Sequence, residues 1–321
     1  MKRRRWMTVG AALLLAASVH AQTASKPVRI VVSFAPGGPV DFTARTIAEP
    51  LGRALGRTVI IDNKPGANGA IGATEVLRSE ADGSTLWITS VGAAAINPAL
   101  YDKLPYSPQR DFAPVSLVTN NVEVFVTTVK ESARDMPEFL AAAKKKKDGQ
   151  AIASSGRGSI PHLALAQMEL ATSVDFLHVP YNGMAPALND LLGGQVSGAF
   201  ADVAAVMSQI KGGRLKALGV AAPTRHPDLP DVKTFEEQGI RGMDTNNWYG
   251  LFVSAKTPPA VVDALSKAVQ KAVTDPAASA RLLQAGAEPK FSTPQELAAL
   301  LKSDTDKWAR LIKNRNITAD Q

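Results

Sequence analysis

The sequence predicts an α/β fold made of two similar units, and two observations point to it. Nearly continuous apolar runs alternate with amphipathic stretches, and glycine-rich segments stand at several of the junctions. Residues 28–34 form the first apolar run, which is typical of a strand buried on both faces of a parallel sheet. A strand, a turn and an amphipathic helix, repeated, are the building pattern of α/β proteins.

The first unit reads as three strands with two helices between them. After the run at 28–34, apolar residues recur at spacings of three and four and mark one face of a helix: Ala44, Ile47, Ala48, Leu51 and Leu55. Gly56 follows at the place where a helix would end. We expect a strand at 58–61, a helix at 73–80 and a strand at 86–89.

The second unit repeats this order. We predict strands at 122–129, 151–153, 175–179, 196–200 and 215–221, and helices at 137–147, 160–171, 184–192 and 203–212. Ser159 and Pro161 suit the start of the helix at 160. A strand at 248–253 is expected beside 122–129, followed by helices with a break at 286–293 and a last helix over 294–313.

Two crossings of the chain, near 120–128 and 245–253, predict two lobes around a cleft. Lobe 1 would consist of residues 27–122 and 248–321, and lobe 2 of residues 123–247. Each lobe is expected to be a mixed sheet flanked by helices.

The first 21 residues have the three parts of a secretory signal. Lys2 and three following arginines form a basic start, residues 9–17 form an apolar run, and Ala21 ends a pattern of small residues. The apolar run is too short to span a membrane. We therefore expect a Sec-type signal peptide, cleaved near Ala21, and a periplasmic protein.

Charge and composition exclude several classes of function. The formal net charge is +7, but four basic residues lie in the predicted signal, so the remaining chain carries 32 basic and 29 acidic residues. This near balance gives no basis for predicting nucleic-acid binding. The basic run at 144–147 ends a predicted helix, where cations complement the helix dipole. With no cysteine in the chain, disulfides and thiolate metal sites are excluded.

Two glycine-rich loops, 35–41 and 154–159, each join a predicted strand to a predicted helix. The first turn of a helix presents backbone N–H groups without intrahelical partners, together with partial positive charge. Glycine beside it lets an anion approach the main chain. Facing each other over a cleft, the two loops could hold a carboxylate; alternatively, each is a tight turn without a ligand.

Patterns for catalysis are weak in this sequence. Neither Ser155 nor Ser159 lies in a Gly-x-Ser-x-Gly frame, and no histidine pairs with another ligand at metal-binding spacing. His162 could face the cleft or serve in packing, and Asp202 could contact a ligand or cap the helix at 203. Arg157 could clamp a second ligand carboxylate or simply be exposed.

Several segments together resemble the Bug-type receptors of tripartite tricarboxylate transporters: 26–41 (KPVRIVVSFAPGGPVD), 63–73 (NKPGANGAIGA), 97–101 (NPALY), 111–115 (DFAPV), 178–181 (HVPY), 191–195 (LLGGQ), 213–218 (GRLKAL) and 248–251 (WYGL). The resemblance covers essentially the whole chain after the predicted signal. It implies a type II periplasmic-binding fold that closes on its ligand. It also implies these ligand-binding residues: Ala35, Gly37, Gly38, Asp41, Ser155, Gly158, Ser159 and His162, with Tyr181 and Asp202 as wall residues.

The resulting hypothesis is non-catalytic capture of a small organic acid for the membrane subunits of a tripartite tricarboxylate-type transporter. A ligand-presenting receptor for a sensor kinase is the alternative. The ligand stays open among di- and tricarboxylates, acidic amino acids and aromatic acids. We expect a monomer that needs no cofactor or metal.

Overall fold

The computed structural model describes residues 26–146, 149–181 and 183–318. The predicted signal peptide at 1–21 lies outside these ranges, as do Lys147 and Asp148. The described residues form two mixed sheets flanked by helices, which confirms the predicted α/β class. Each helix in these ranges is too short or too polar to cross a membrane.

The strands, in chain order, are β1 Val28–Val32, β2 Val59–Asn63, β3 Thr85–Ser90, β4 Phe112–Asn121, β5 Glu123–Thr128, β6 Ala151–Ser154, β7 Leu177–Pro180, β8 Gly198–Asp202, β9 Leu215–Val220, β10 Asn247–Ser254 and β11 Glu288–Pro289. The helices are α1 Pro39–Leu55, α2 Ala70–Arg78, α3 Asn97–Leu100, α4 Pro108–Asp111, α5 Met136–Ala143, α6 Ile160–Thr172, α7 Met184–Gly193, α8 Val203–Lys211, α9 Pro259–Val273, α10 Pro276–Gln284 and α11 Pro294–Asn314. Shorter helical turns occur at Ala67–Gly69, Gly92–Ile96 and Glu236–Gln238.

Two of the predicted helix ends are confirmed by the structure, and a third differs. Gly56 follows α1 with a left-handed φ of 62°. The side chain of Ser159 caps α6 by accepting a hydrogen bond from the His162 N–H. The helix predicted at 137–147 ends earlier, at Ala143. Lys144 is its C-cap residue, where a cation complements the negative end of the helix dipole.

The first sheet has the strand order β11-β4-β10-β3-β1-β2. β1 is parallel to β2 and β3, whereas β10 is antiparallel to β3 and β4. The prediction that 248–253 runs beside 122–129 is wrong, because Trp248 lies opposite Asn120 in β4. The sequence analysis did not assign β4, which joins β5 through Val122 without a glycine or proline to mark the change of sheet.

The second sheet has the order β7-β6-β8-β5-β9. β6 is parallel to β7 and β8, and β5 is antiparallel to β8 and β9. Large buried rings fill separate cores, with Trp87, Trp248 and Phe252 against the first sheet and Phe125 and Phe200 against the second. The chain passes between the sheets at residue 122 and again just before β10. The residue limits of the two lobes stay a prediction.

Candidate ligand-binding cavity

A cavity of about 430 Å³ lies where the ends of both sheets meet. Its walls include the segments that follow the carboxyl ends of β1, β2 and β3 in the first sheet, and of β6, β7 and β8 in the second. In open α/β sheets, ligands bind outside the carboxyl ends of the strands. The volume suits a small molecule rather than a macromolecule.

Several helices begin at this cavity. Residues in the first turns of α1, α6, α7 and α8 line it, and so does the helical turn that precedes α2: Pro39, Val40, Ile160, Pro161, Met184, Ala205, Asn68 and Gly69. The backbone N–H groups in the first turn of a helix have no intrahelical acceptor, and each helix start carries partial positive charge. Their convergence favours an anionic ligand.

In the first glycine-rich loop, only Ala35 of the predicted residues lines this cavity. Gly37 and Gly38 line an adjoining cavity of about 220 Å³. The Gly37 N–H, which the sequence analysis offered to a ligand, donates instead to Asp41 Oδ2 at 2.8 Å. The Gly38 N–H is directed at the carbonyl oxygen of Ala35, at 3.4 Å.

Asp41 is buried and serves as an internal anion for this loop. Besides Gly37, its carboxylate accepts hydrogen bonds from Arg45 Nε at 2.9 Å and from Asn63 Nδ2 at 2.9 Å. Burial by itself would raise the pKa of Asp41, but the hydrogen bonds from Arg45, Gly37 and Asn63 outweigh it and lower that pKa. The structure thus gives Asp41 a role in holding the turn and places it away from the cavity wall.

In the second loop, Ser155 and Ser159 line the cavity. Ser159 Oγ donates to the carbonyl oxygen of Gly156 at 2.6 Å and accepts from the His162 N–H at 3.4 Å. Gly158 does not line the cavity, and its N–H donates to His162 Nδ1 at 3.0 Å. Arg157 is exposed and is not part of the cavity wall. Of the two predictions for Arg157, a clamp on a ligand carboxylate or an exposed side chain, the structure has the exposed side chain.

His162 is buried beneath this loop rather than in the cavity. Its ring stacks on His178 with 3.9 Å between centroids and 3° between planes. His178 Nε2 lies 2.7 Å from Ser154 Oγ. Burial lowers the pKa of His162 to about 3 and that of His178 to about 4, with repulsion from Arg157 adding to both. Two neutral rings therefore support the loop.

Tyr181 also lies off the cavity wall. Its hydroxyl donates to Asp190 Oδ2 at 2.7 Å, on α7. Burial, followed by the hydrogen bond to the Asp190 carboxylate, raises the pKa of Tyr181 to about 12. The tyrosine therefore fixes α7 against the strand end that precedes it.

Asp202 lines the cavity at the end of β8, and its side chain does not cap α8. Both its oxygens accept from Asn247 Nδ2 at 3.3 Å, and Oδ2 accepts from the Tyr249 hydroxyl at 3.4 Å. Burial raises the pKa of Asp202. Of the two roles predicted for Asp202, contact with a ligand and capping of α8, the geometry favours contact with a ligand.

Glu123, which was not among the predicted site residues, lines the cavity with a fully buried side chain. It is the first residue of β5 and pairs in register with Asp202 on β8. Taken as a carboxylate, neither of its oxygens has a hydrogen-bond donor among the described residues. Burial, repulsion from Asp202 and a hydrogen bond to Asp202 in the protonated form raise its pKa well above the usual range. In the sequence, a charged residue inside the apolar run at 122–129 could have indicated that Glu123 is a site residue.

Comparison with known proteins adds independent information. Residues 43–317 match the profile of the family described as tripartite tricarboxylate transporter family receptor. The solved structure of periplasmic binding protein BugD is 35% identical, with a TM-score of 0.80, covering 92% of this chain and 99% of its own. MatC from Rhodopseudomonas palustris with bound malate is 32% identical, with a TM-score of 0.79, covering 89% and 98%. Rpa4515 of R. palustris with adipate is 28% identical, with a TM-score of 0.83, covering 92% and 98%. These similarities confirm the predicted two-lobed periplasmic-binding fold.

Proposed function

Because this chain belongs to the tripartite tricarboxylate transporter receptor family, we propose that it captures a small organic carboxylate in the cavity between its two sheets. The captured ligand would pass to the membrane subunits of a tripartite tricarboxylate-type transporter. The family consists of periplasmic solute-binding receptors. Export of this chain by the signal peptide at 1–21 stays a prediction.

One observation carries the proposal: helices from both sheets start at the same cavity. α1 approaches it through Val40, and α6 approaches it through Ser159 and Ile160. N–H groups at a helix start bind anions, and their partial charges add where several helices meet. A carboxylate between α1 and α6 would contact both sheets and thereby favour a closed arrangement of the lobes.

The predicted residues divide into two groups in this proposal. Ala35, Ser155, Ser159 and Asp202 would contact the ligand, since they line the cavity. The others would act by shaping the loops: Gly37, Gly38, Asp41, Gly158, His162 and Tyr181. The malate and adipate of the two neighbours are small dicarboxylates, which supports this ligand class.

A thermal-shift panel of small carboxylic acids tests capture directly. A ligand present at 100 times its Kd should stabilise the protein by about 2.7 kcal/mol, whereas the matched primary amide should not. Equal shifts from an acid and its amide would contradict carboxylate capture. Recovery of the bound ligand unchanged after prolonged incubation is also expected, because the proposed receptor binds without turnover.

The transport role needs a separate measurement. Uptake of the bound ligand into proteoliposomes that contain the membrane subunits should depend on addition of this receptor. A receptor that binds ligand tightly yet leaves uptake unchanged would contradict the transport role, while the binding role would stand.

A further inference from the structure

We propose that Glu123 and Asp202 form a binding site for an ammonium group, so that the ligand is an amino-substituted carboxylate. This inference rests on the proposed function, because it names the ligand class of the same cavity.

The first argument is the shortage of hydrogen-bond donors at this end of the cavity. Both Glu123 oxygens are buried without a donor among the described residues, and so is Asn247 Oδ1. Among the described residues, Asn247 and Tyr249 donate to Asp202 at 3.3–3.4 Å, and the proton held on Glu123 without ligand donates to it as well. Buried polar groups in native proteins have hydrogen-bond partners, so this cluster of acceptors calls for a donor from outside the chain.

The charges of the Glu123 and Asp202 carboxyl groups also favour a bound cation. Glu123 and Asp202 are register partners on neighbouring strands, and two carboxylates so placed repel each other in a buried site. Asp202 stands immediately before α8, where the helix start stabilises its ionised form. Glu123 has no helix start of its own, so it holds the shared proton when no ligand is bound. A bound cation would let both groups ionise.

The third argument is the match between the site and an ammonium group. An ammonium group has three N–H donors and no acceptor. The Glu123 oxygens and Asn247 Oδ1 have no hydrogen-bond donor among the described residues, and the Asp202 oxygens receive only long hydrogen bonds, so all three side chains can accept from an ammonium group. A hydroxyl would satisfy one acceptor and would leave Glu123 protonated, because it brings no positive charge.

The wall of the same cavity also carries hydrogen-bond donors from helix starts. Val40 and Ile160, in the first turns of α1 and α6, bring backbone N–H groups to this wall, and Ser155 lines it as well. Within about 430 Å³ the wall thus holds both helix-start N–H groups and two carboxyl groups. This combination complements a molecule that carries a carboxylate and an ammonium group on one short skeleton.

The test compares ligands that differ only in the amino group: glutamate with glutarate, aspartate with succinate, and 4-aminobutyrate with butyrate. Calorimetry on the full receptor should show that at least one aminated member binds tenfold or more tighter than its partner. Its binding should also release a proton at pH 7, seen as a dependence of the heat on buffer ionisation. Tighter binding of the unaminated member in every pair would overturn the proposal.

Variants distinguish this inference from the proposed function. Glu123→Gln keeps the shape of the side chain and should abolish the preference for the aminated ligand while binding of the unaminated acid is kept or improved. Asp263→Asn removes an exposed carboxylate on α9 that does not line the cavity, and should leave the preference unchanged. An unchanged preference in Glu123→Gln would overturn the ammonium site. If no aminated acid binds while another acid of the thermal-shift panel does, the ammonium site is overturned and carboxylate capture stands.

Discussion

The Asp41 carboxylate accepts a hydrogen bond from the backbone N–H of Gly37 at 2.8 Å. The Asp41 carboxylate therefore occupies a backbone donor that a ligand anion could otherwise use. Gly37 has a φ of 80°, a conformation that glycine adopts without strain. The ligand is left with the N–H groups of the first turn of α1 and with the second loop.

Replacing Asp41 by asparagine should destabilise the protein through this turn. The variant weakens charge-assisted hydrogen bonds from Gly37, Arg45 and Asn63, and we expect a loss of about 1–3 kcal/mol in the free energy of unfolding at pH 7. Because the pKa of Asp41 is lowered on folding, its stabilising effect is present above pH 4 and fades below it. Urea titrations at pH 7 and pH 3 should show the difference between variant and wild type shrinking at pH 3; an equal difference at both would contradict this.

Gly158→Ala should impair the contact between the second loop and α3. Gly158 has a φ of 70°, and an added Cβ would lie 2.1 Å from Leu100 Cδ2. The backbone strain alone is expected to lower stability by about 1–2 kcal/mol. The clash should also push the loop away from α3 and weaken ligand binding, measured by calorimetry. The double variant with Leu100→Ala should recover affinity, although the backbone strain at residue 158 remains. If affinity is not recovered, the contact with Leu100 does not limit binding.

Glu123→Gln should raise stability without ligand, and more so at higher pH. The folded pKa of Glu123 lies well above its unfolded value, so its stabilising contribution is complete below about pH 4.5 and is lost as pH rises toward the folded pKa. The advantage of glutamine should therefore grow by about 1.4 kcal/mol per pH unit above pH 4.5. Chemical denaturation at pH 5, 6 and 7 checks this, and a variant less stable than wild type at pH 7 would contradict it.

The stacked His162 and His178 should make the protein sensitive to mild acid. Their folded pKa values, about 3 and about 4, lie below the unfolded value of about 6.5. The contribution of the neutral rings to the free energy of unfolding is then fully present above pH 6.5. It falls between pH 6.5 and 4.5 by about 1.4 kcal/mol per pH unit for each ring. His178→Asn should roughly halve this slope in melts over that range. Because burial also lowers the pKa of His226, both proteins should carry His226→Asn, so that the remaining slope comes from the paired rings.

Much of this protein follows from short-range patterns in its sequence. The end of α1 at Gly56, the Ser159 cap of α6 and the two glycine-rich loops depend on residues a few positions apart. Their consequences are local, so a single sequence suffices to predict them. The family resemblance is of the same kind, because it depends on motifs read in order along the chain.

The tertiary structure decided which distant groups meet. The partner of β10 is β4 rather than β5, because strand pairing depends on packing across the whole sheet. Gly37 and Asp41 are neighbours in sequence, yet only the folded turn gives the glycine N–H to the carboxylate rather than to a ligand. Glu123 and Asp202 face each other solely because β5 and β8 pair in that register, and a shift of one residue would turn each side chain to the opposite face. The sequence by itself therefore determined the family and the two glycine-rich loops, and the register of two strands placed two carboxyl groups side by side in the cavity.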